Sequence, residues 1–553
     1  MEEAPPEPST QGDEVVRRQR GVGKRTVWIS LLTLLSRLLG MVREVGSAWL
    51  FGDSSAVYDA FLFAWRIPNL FRRFLGEGAL ATSLQTTLTE VDATRGDEAG
   101  AGLFGATLVL LARILVVLCA LVMAAVWWMP DTMPGTGFAW LGPDPDAVRE
   151  LTVRVTPFVV FVCLSAAAGG ALNVRGHYSL PALGPVVLNV VWIIALVALA
   201  ASVGFEVPTT EEHLELVRKL TWGVLGAGVL QLLIMVPELR RRRLLVADTS
   251  RSSEARAAGR RVLRGSAPLA IGAAVYQVNV MIDGMMAQGL LPTGGQTVHY
   301  LANRVQQFPL ALVAVAATTA VFPALAALGH ERRLDELRSL HDRTQRNVLF
   351  IALPAAFGLA ALSTPISSAL FEGGGFGASG VERTSAALRV LAFAIVPAGA
   401  VGLVARTYYS LGDRRTPVVV SSLMLVLNVV LNVVFIEALG MDADGLALAT
   451  GLTSFGNLAL LVPGLRGRLG LPAGAPGLVS SVGRMVVAGA ACGAAAFLVE
   501  SSLSERVGSL VSLGAAMGAG ALLYGVLARV LAIPEWAGFA TRIQGLGARI
   551  GGR

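Results

Sequence analysis

Fourteen apolar runs, each long enough to cross a lipid bilayer as a helix, occupy most of this 553-residue chain. They lie at about 27–52, 56–90, 101–129, 147–174, 178–204, 215–238, 266–290, 298–328, 345–372, 384–411, 417–438, 443–464, 478–500 and 509–532. Only 15% of the residues are charged, whereas soluble proteins have about 25%, so this chain has too little polar surface to face water all round. The sequence therefore predicts an all-α polytopic membrane protein with about fourteen transmembrane helices, and it excludes a soluble enzyme with a single hydrophobic anchor.

Basic and acidic residues are segregated between alternate loops. If the N-terminus is cytoplasmic, arginines cluster in the inward loops at 240–264, 332–346, 414–415 and 466–468. The outward loops are acidic, and Arg149, Arg383 and Arg506 are exceptions near span ends. The positive-inside rule then predicts an even number of spans with both termini in the cytoplasm. The same topology accounts for the net charge of +7, so we expect no nucleic acid partner.

A sequence motif occurs twice, about 231 residues apart. Segments 175–191 and 406–430 share Arg-x-x-Tyr-Ser-Leu, then Pro-Val-Val, then Leu-Asn-Val-Val. Six predicted spans separate the matching points, and an even number returns the chain to the same side of the membrane. This predicts two parallel six-helix repeats around a central cavity plus two extra C-terminal helices, an arrangement typical of transporters. The alternative is coincidence, because Tyr-Ser-Leu before a proline is also an ordinary loop-to-helix sequence.

The runs and the repeat together predict the domain organisation. The expected segments are a disordered cytoplasmic tail at 1–26, an N-terminal six-helix bundle at 27–238, a basic cytoplasmic linker at 239–265, a C-terminal six-helix bundle at 266–464, helices 13 and 14 at 465–532, and a cytoplasmic tail at 533–553.

Span one contains charged residues where lipid could not solvate them. Arg37 and Arg43 lie within the apolar run, and Glu44 follows directly. An arginine at mid-span costs at least about 2.5 kcal/mol unless it faces a cavity or a partner. On an ideal helix Arg43 points about 120° away from Arg37, so both can face one site only if the helix bends or lies in a corner of the bundle.

Span two contains a charged stripe. Asp59, Arg66, Arg73 and Glu77 are spaced by 7, 7 and 4 residues, which places them within about 40° of one another on a helix. Pro68 predicts a kink beside this stripe. For Arg72 and Arg73, near a span end, a salt bridge or snorkelling to the interface is an equally good interpretation.

The second half adds Asp283 in span seven, and Asn303 and Arg304 in span eight. Several arginines with fewer carboxylates, beside an aromatic wall, suit an amphipathic anion, because guanidinium groups match phosphate and pyrophosphate oxygens. We find no nucleotide-binding, hydrolase or metal-ligand motif, and the three cysteines lie apart from one another in apolar runs. We therefore expect neither an enzyme nor a cofactor or metal.

The chain closely resembles the MurJ (MviN) family of lipid II flippases in the MOP exporter superfamily. The similarity rests on residues 36–44, 51–52, 59–61, 66–73, 76–79, 303–310, 322–323 and 409–417. The resemblance implies a bacterial inner-membrane protein that moves undecaprenyl-pyrophosphate-linked peptidoglycan precursor from the inner to the outer leaflet by alternating access. Its expected partners are lipid II and membrane lipids, and the expected state is a monomer.

The resemblance also implies roles for individual residues. Arg37, Arg43 and Arg304 would contact the pyrophosphate, Asp59 would be an essential carboxylate at the outward end of span two, and Arg72 would be essential near its inner end. Glu44, Arg66, Arg73, Glu77, Asp283 and Asn303 would support the site, and helices 13 and 14 would hold the polyprenyl tail. The alternatives are another exporter of the same superfamily, a polyprenyl-phosphate transferase, or a scaffold without transport activity.

Overall fold

A computed structural model describes residues 10–73, 79–132, 139, 141–204, 206, 209–245, 252–319, 321–470 and 478–539. Side chains within these ranges are described except at 10–27, 79, 210–211, 267–276, 312, 314–319 and 478. In this part of the chain the backbone forms helices, with only the isolated bridges between Thr132 and Ala139 and between Gly373 and Phe376 in extended pairing. The predicted all-α fold class is confirmed.

The helices of the first half follow the apolar runs. They are α1 (Thr10–Phe51), α2 (Ala56–Phe71), α3 (Ala79–Arg95), α4 (Asp97–Trp127), α5 (Pro145–Val155), α6 (Phe158–Val174), α7 (Ser179–Ser202), α8 (Thr210–Leu233) and α9 (Val236–Arg241).

The second half is helical in the same way. Its helices are α10 (Ser253–Leu290), α11 (Gly295–Thr319), α12 (Phe322–His330), α13 (Leu334–Ala361), α14 (Ser363–Phe371), α15 (Ala378–Ser410), α16 (Arg415–Val433), α17 (Ala443–Arg468), α18 (Leu478–Val507) and α19 (Ser509–Val530). A π-helical segment at Val434–Ala438 extends α16, and α13 and α14 meet at a bend of 67°.

Nine helices of the described residues are long and apolar enough to cross a membrane, or ten if the bent pair α13–α14 forms one span. The helices that contain Arg37, Asp59, Asp283 and Arg304 are not among them. Helix α2 has only 16 residues, fewer than the roughly 20 that a span needs, although it lies inside a predicted span. The count of fourteen remains a prediction.

Two expected boundaries differ from the structure. Helix α1 begins at Thr10, so the segment expected to be a disordered tail up to residue 26 is helical in its described part. Helix α10 begins at Ser253 and α9 ends at Arg241, so the expected linker at 239–265 is helical over almost its last half and over its first residues. Residues 10–26 and 253–265 each contain four arginines and no proline, so no proline stops a helix from extending beyond the apolar run.

The chain divides into two compact units. Unit 1 comprises Met1–Ser47, Ala64–Met129 and Asp146–Ala274, and unit 2 comprises Ala48–Phe63, Pro130–Pro145 and Val275–Arg553. The sequence placed 48–63 and 130–145 in the N-terminal bundle, whereas here they belong with the second half of the chain. Asp59 is therefore a residue of unit 2.

The core of unit 1 contains aromatic and small side chains. Trp65 packs against Phe158 and Trp192, with ring centroids 5.2 and 5.0 Å apart. Leu80, Leu84 and Leu88, one turn apart on α3, are fully buried. These contacts fix the face of α7 on which Trp192 lies.

The core of unit 2 is built around α15. One cluster of buried side chains comprises Leu325, Leu337, Leu403, Val404, Tyr408, Leu461, Leu465 and Leu469. The Tyr408 hydroxyl donates a hydrogen bond to the Leu461 carbonyl at 2.9 Å. The Tyr524 hydroxyl on α19 donates to the Phe350 carbonyl at 2.7 Å, which ties the last helix pair to α13.

Candidate functional site

In unit 1, Arg43 is held firmly inside the protein. Its side chain is only 6% exposed and forms an ion pair with Glu44, and Nη1 donates to Asn189 Oδ1 at 3.1 Å. The guanidinium carbon lies 4.5 Å from the ring centroid of Trp192, a cation–π distance. The charge of Arg43 is thus compensated within unit 1.

Asn189 connects α7 to α1 through two bonds. Its amide oxygen accepts from Arg43, and its amide nitrogen donates to the Ser36 carbonyl at 2.8 Å. A buried amide that satisfies a guanidinium and a backbone carbonyl at once fixes the rotation of α1 against α7.

Arg37 has a different environment from Arg43. Its side chain is exposed and forms no hydrogen bond or ion pair with any residue that the structure describes. The sequence predicted that the two arginines point in different directions, and the structure confirms it.

The arginines of α2 do not continue a regular helical stripe. Arg66, Arg72 and Arg73 are half-buried, and Arg72 donates to Asn69 Oδ1 at 3.0 Å. Helix α2 ends at Phe71, and residues 72–73 form π-type turns, so the angle of 100° per residue no longer applies to Arg73. Glu77 lies outside the described residues.

In unit 2, Asp59 caps the N-terminus of α11. Its side chain is buried and accepts hydrogen bonds from Gly294 N at 2.6 Å, from Thr297 N at 2.8 Å and from the Thr297 hydroxyl at 2.6 Å. The first N–H groups of a helix lack intrahelical partners and carry partial positive charge, so a carboxylate is the favoured group there. Asp59 therefore fastens the start of α2 to α11.

The glycines at this junction are required by close backbone contacts. Gly294 has φ +83°, and a Cβ on it would overlap the Asp53 carbonyl oxygen. Gly52 has φ +75°, and a Cβ on it would lie 2.5 Å from the Gly375 carbonyl oxygen. Gly375 N in turn donates to the Trp49 carbonyl at 2.8 Å. The ends of α1 and α2 thus pack on the backbone of two loops of unit 2.

Arg383 supports the same junction from α15. It binds Asp442 with two bonds, at 2.5 and 3.1 Å, and Nη1 donates to the Thr293 carbonyl at 3.1 Å. Arg383 therefore holds the Thr293 carbonyl, two residues before α11 begins. The sequence analysis treated Arg383 only as an exception to the charge rule, and no local motif marks its partners.

Arg304 lies on the helix that Asp59 caps. It follows Thr297 by seven residues, about 10 Å along α11, and is half-buried. Asn303 Nδ2 donates to the His299 carbonyl at 2.9 Å. A movement of α11 that breaks the Asp59 cap would consequently also move Arg304.

Asp283 belongs to a buried polar network in unit 2. It accepts from Asn279 Nδ2 at 3.0 Å and from Asn432 Nδ2 at 3.2 Å, and Asn432 also lies 3.2 Å from Asn428 Oδ1. Asn428 and Asn432 were not among the predicted site residues, although their spacing of four in an apolar helix was a usable signal. Among the described residues, no three or more His, Cys, Asp or Glu side chains form a metal-binding group.

Five of the predicted site residues fall into three groups. Arg43 and Glu44 form an ion pair in unit 1. In unit 2, Asp59 caps the helix that contains Arg304, and Asp283 lies in a separate hydrogen-bond network.

Sequence comparison places the chain among known proteins. The family described as lipid II flippase MurJ matches residues 47–516. The lipid II flippase MurJ of Burkholderia cenocepacia is 32% identical over 443 residues, which cover 80% of this chain and 83% of the relative. A probable lipid II flippase MurJ of Vibrio cholerae is 32% identical over 452 residues, covering 80% and 82%.

Comparison with solved structures supports the fold. A lipid II flippase MurJ in an inward closed conformation matches 91% of this chain and 99% of its own, with a TM-score of 0.71 and 20% identity. An inward-facing multidrug resistance MATE transporter of the MOP superfamily matches 80% and 98%, with a TM-score of 0.66 and 12% identity. With a family match over most of its length and relatives at 32% identity, the chain belongs to the MurJ family of lipid II flippases.

Proposed function

We propose that this protein moves lipid II, a polyprenyl-pyrophosphate-linked peptidoglycan precursor, from the inner to the outer leaflet of the bacterial inner membrane by alternating access. It would act as a monomer, with both termini in the cytoplasm and with lipid II and membrane lipids as its partners. The observation that supports this most directly is the contrast between two arginines of α1. Arg37 is exposed, whereas Arg43 is buried and forms an ion pair with Glu44.

The diphosphate would bind first to Arg37. An exposed guanidinium within a predicted membrane span needs an anion, and a diphosphate offers several oxygens for bidentate bonds. Arg43 would join the site by exchanging Glu44 for a phosphate oxygen, since a dianionic group competes well with a single carboxylate for the same donors. Further residues proposed to bind the ligand are Arg66, Arg72, Arg73, Asn303 and Arg304.

The Asp59 cap would act as the outward gate. It consists of three hydrogen bonds to one helix end and of backbone contacts at glycines. Polar contacts of this kind can be exchanged for water when the junction opens, at little net cost. The cap also connects gate and substrate site, because Arg304 lies on the capped helix.

The test is complementation of a bacterium depleted of its own lipid II flippase, followed by an assay of the leaflet that holds the precursor. Arg37→Ala, Asp59→Asn and Arg304→Ala should each leave the precursor in the inner leaflet and abolish growth. Arg37→Lys should also impair growth, because an ammonium group cannot form the bidentate contact.

Arg113→Ala is the matched control. Arg113 is an exposed arginine within the apolar helix α4, and no site residue is assigned there. It should complement fully, at the same protein level in the membrane. Normal growth from two of the three site variants would contradict the assigned site, and precursor reaching the outer leaflet in depleted cells would contradict the function itself.

A further inference from the structure

A cleft of about 450 Å³ lies between α14 and the first turns of α15, within unit 2. Its polar lining comprises Thr364, Ser368, Glu372, Glu382, Ser385 and Arg389. None of these residues belongs to the transport site proposed above. A cleft of this size is within the range of small-ligand sites in proteins.

Opposite charges line this cleft without pairing. Within the described ranges, the Arg389 guanidinium donates only to the hydroxyls of Ser363 and Thr364, at 3.4 Å each, longer than ordinary hydrogen bonds. Among the described residues no carboxylate lies within 4.0 Å of it, although Glu372 and Glu382 line the same cleft. The Glu372 carboxylate accepts from the Ser368 hydroxyl instead. The space between the arginine and the acids is wide enough for a ligand with both charges.

The charges are arranged by depth. Helix α15 begins at Ala378, so Glu382 lies about 6 Å and Arg389 about 16 Å along it. The helix has 33 residues and spans about 50 Å, which exceeds the ~30 Å hydrocarbon core. Side chains on a helix tilt towards its N-terminus, so the Arg389 guanidinium would reach the interface on the predicted outward side. Lipid phosphates lie at this level, and the two glutamates lie further out.

We propose that the cleft binds the phosphoethanolamine group of a phospholipid in the outward leaflet, with the phosphate on Arg389 and the ammonium between Glu372 and Glu382. The Thr364 hydroxyl, which accepts from Arg389, adds a donor for a phosphate oxygen. A purely anionic headgroup fits less well, because two carboxylates at the mouth repel it. This proposal does not depend on the transported substrate.

The test measures the thermal stability of the purified full chain in detergent during titration with three probes. These are short-chain phosphatidylethanolamine, phosphatidylglycerol of the same chain length, and free phosphoethanolamine. Wild type should bind the ethanolamine lipid at least tenfold more tightly than the glycerol lipid. Arg389→Gln should weaken the binding of phosphatidylethanolamine at least tenfold. Glu382→Gln should weaken the binding of phosphatidylethanolamine several-fold. The same variant should bind phosphatidylglycerol more tightly, because one repulsive charge is lost.

Arg506→Gln is the control, since Arg506 is an exposed arginine at the end of α18 that does not line the cleft. It should leave all three titrations unchanged. If free phosphoethanolamine binds as tightly as the lipid, the cleft recognises the same headgroup chemistry, but its ligand is a soluble molecule. Equal binding of both lipids by wild type, or an unchanged titration in Arg389→Gln, would overturn the proposal. Glu382→Gln keeps the test valid if Arg389→Gln does not fold.

Discussion

The two copies of the Arg-x-x-Tyr-Ser-Leu motif place their arginines in opposite electrostatic surroundings. In the first copy, Arg175 binds Asp92 at 2.9 Å and Asp97 at 2.6 Å, and its carbonyl accepts from Arg242. In the second copy, Arg406 is half-buried, and no acidic partner lies beside it in the part of the chain that the structure describes. The same motif is a charged junction in unit 1 and an uncompensated cation in unit 2.

The asparagines of the two copies differ in the same way. Asn189 bridges Arg43 and the Ser36 carbonyl in unit 1. Asn428, its counterpart, accepts a hydrogen bond from Asn432 in the network around Asp283 in unit 2. The repeat therefore reproduces the helices, whereas the polar partners come from residues that are not repeated. The helices are thus alike in the two copies, and the hydrogen-bond partners of the repeated residues are not.

The largest expected difference in stability is between the variants that remove the arginines of the two motif copies. Arg175→Gln leaves Asp92, whose side chain is 15% exposed, without its cation and should lower the stability of the protein by about 3 kcal/mol. Arg406→Gln removes a half-buried charge that has no acidic partner and should leave stability unchanged or slightly higher. Thermal unfolding of both purified variants in the same detergent measures the difference.

Arg240→Gln serves as the control, because Arg240 is exposed on α9 and forms no ion pair within the described ranges. Its unfolding temperature should equal that of the wild type. If Arg175→Gln and Arg406→Gln shift unfolding by the same amount, the electrostatic contrast between the two copies is wrong.

The paired asparagines should give a smaller contrast. Asn189→Ala leaves both the Ser36 carbonyl and an Arg43 donor without their partner, at a cost of about 1–3 kcal/mol. Asn428→Ala should cost less, about 1 kcal/mol, because Asn432 retains Asp283 as acceptor and the Asn428 amide nitrogen has no partner among the described residues. Unfolding of the two variants side by side tests this order, and a larger loss in Asn428→Ala would reverse it.

The sequence was sufficient for features that depend on neighbouring residues. The helical fold class follows from the apolar runs, and the different directions of Arg37 and Arg43 follow from a spacing of six residues in one helix. Both are local consequences of helix geometry. The same reasoning failed at Arg73, because the π-type turns after Phe71 change the rotation per residue.

Features that depend on distant residues could not be predicted. Asp59 was identified as a site residue, yet its partners Gly294 and Thr297 follow it by 235 and 238 residues. No periodicity relates a carboxylate in α2 to the N-terminus of α11. The grouping of 48–63 with unit 2 was missed for the same reason, since it arises from packing at that junction.

The inward ends of the two repeats also differ in how their acids respond to pH. Hydrogen bonds from Thr416, together with Arg468 at 2.6 Å, hold the pKa of Asp413 below its usual range. In the first repeat, Tyr178 precedes α7 at its N-cap position and forms no side-chain cap hydrogen bond. Burial raises the pKa of Asp92 there by more than Arg175 lowers it.

These two shifts predict opposite pH dependences, with the smallest effect of the three comparisons. A lowered pKa in the folded state stabilises above the ordinary Asp value of about 4, and the contribution is lost as pH falls through the folded value. Asp413→Asn should therefore lower the unfolding temperature at pH 7, by roughly 1–2 °C for a chain of this length, and the difference should shrink as pH falls below the ordinary Asp value. For Asp92 the pKa is raised, so wild type should gain stability over Asp92→Asn as pH falls from 7 towards 4. The test measures the unfolding temperatures of both variants and of wild type across this pH range. Parallel curves for the two variants would mean that the inward ends of the two repeats do not differ in pH dependence.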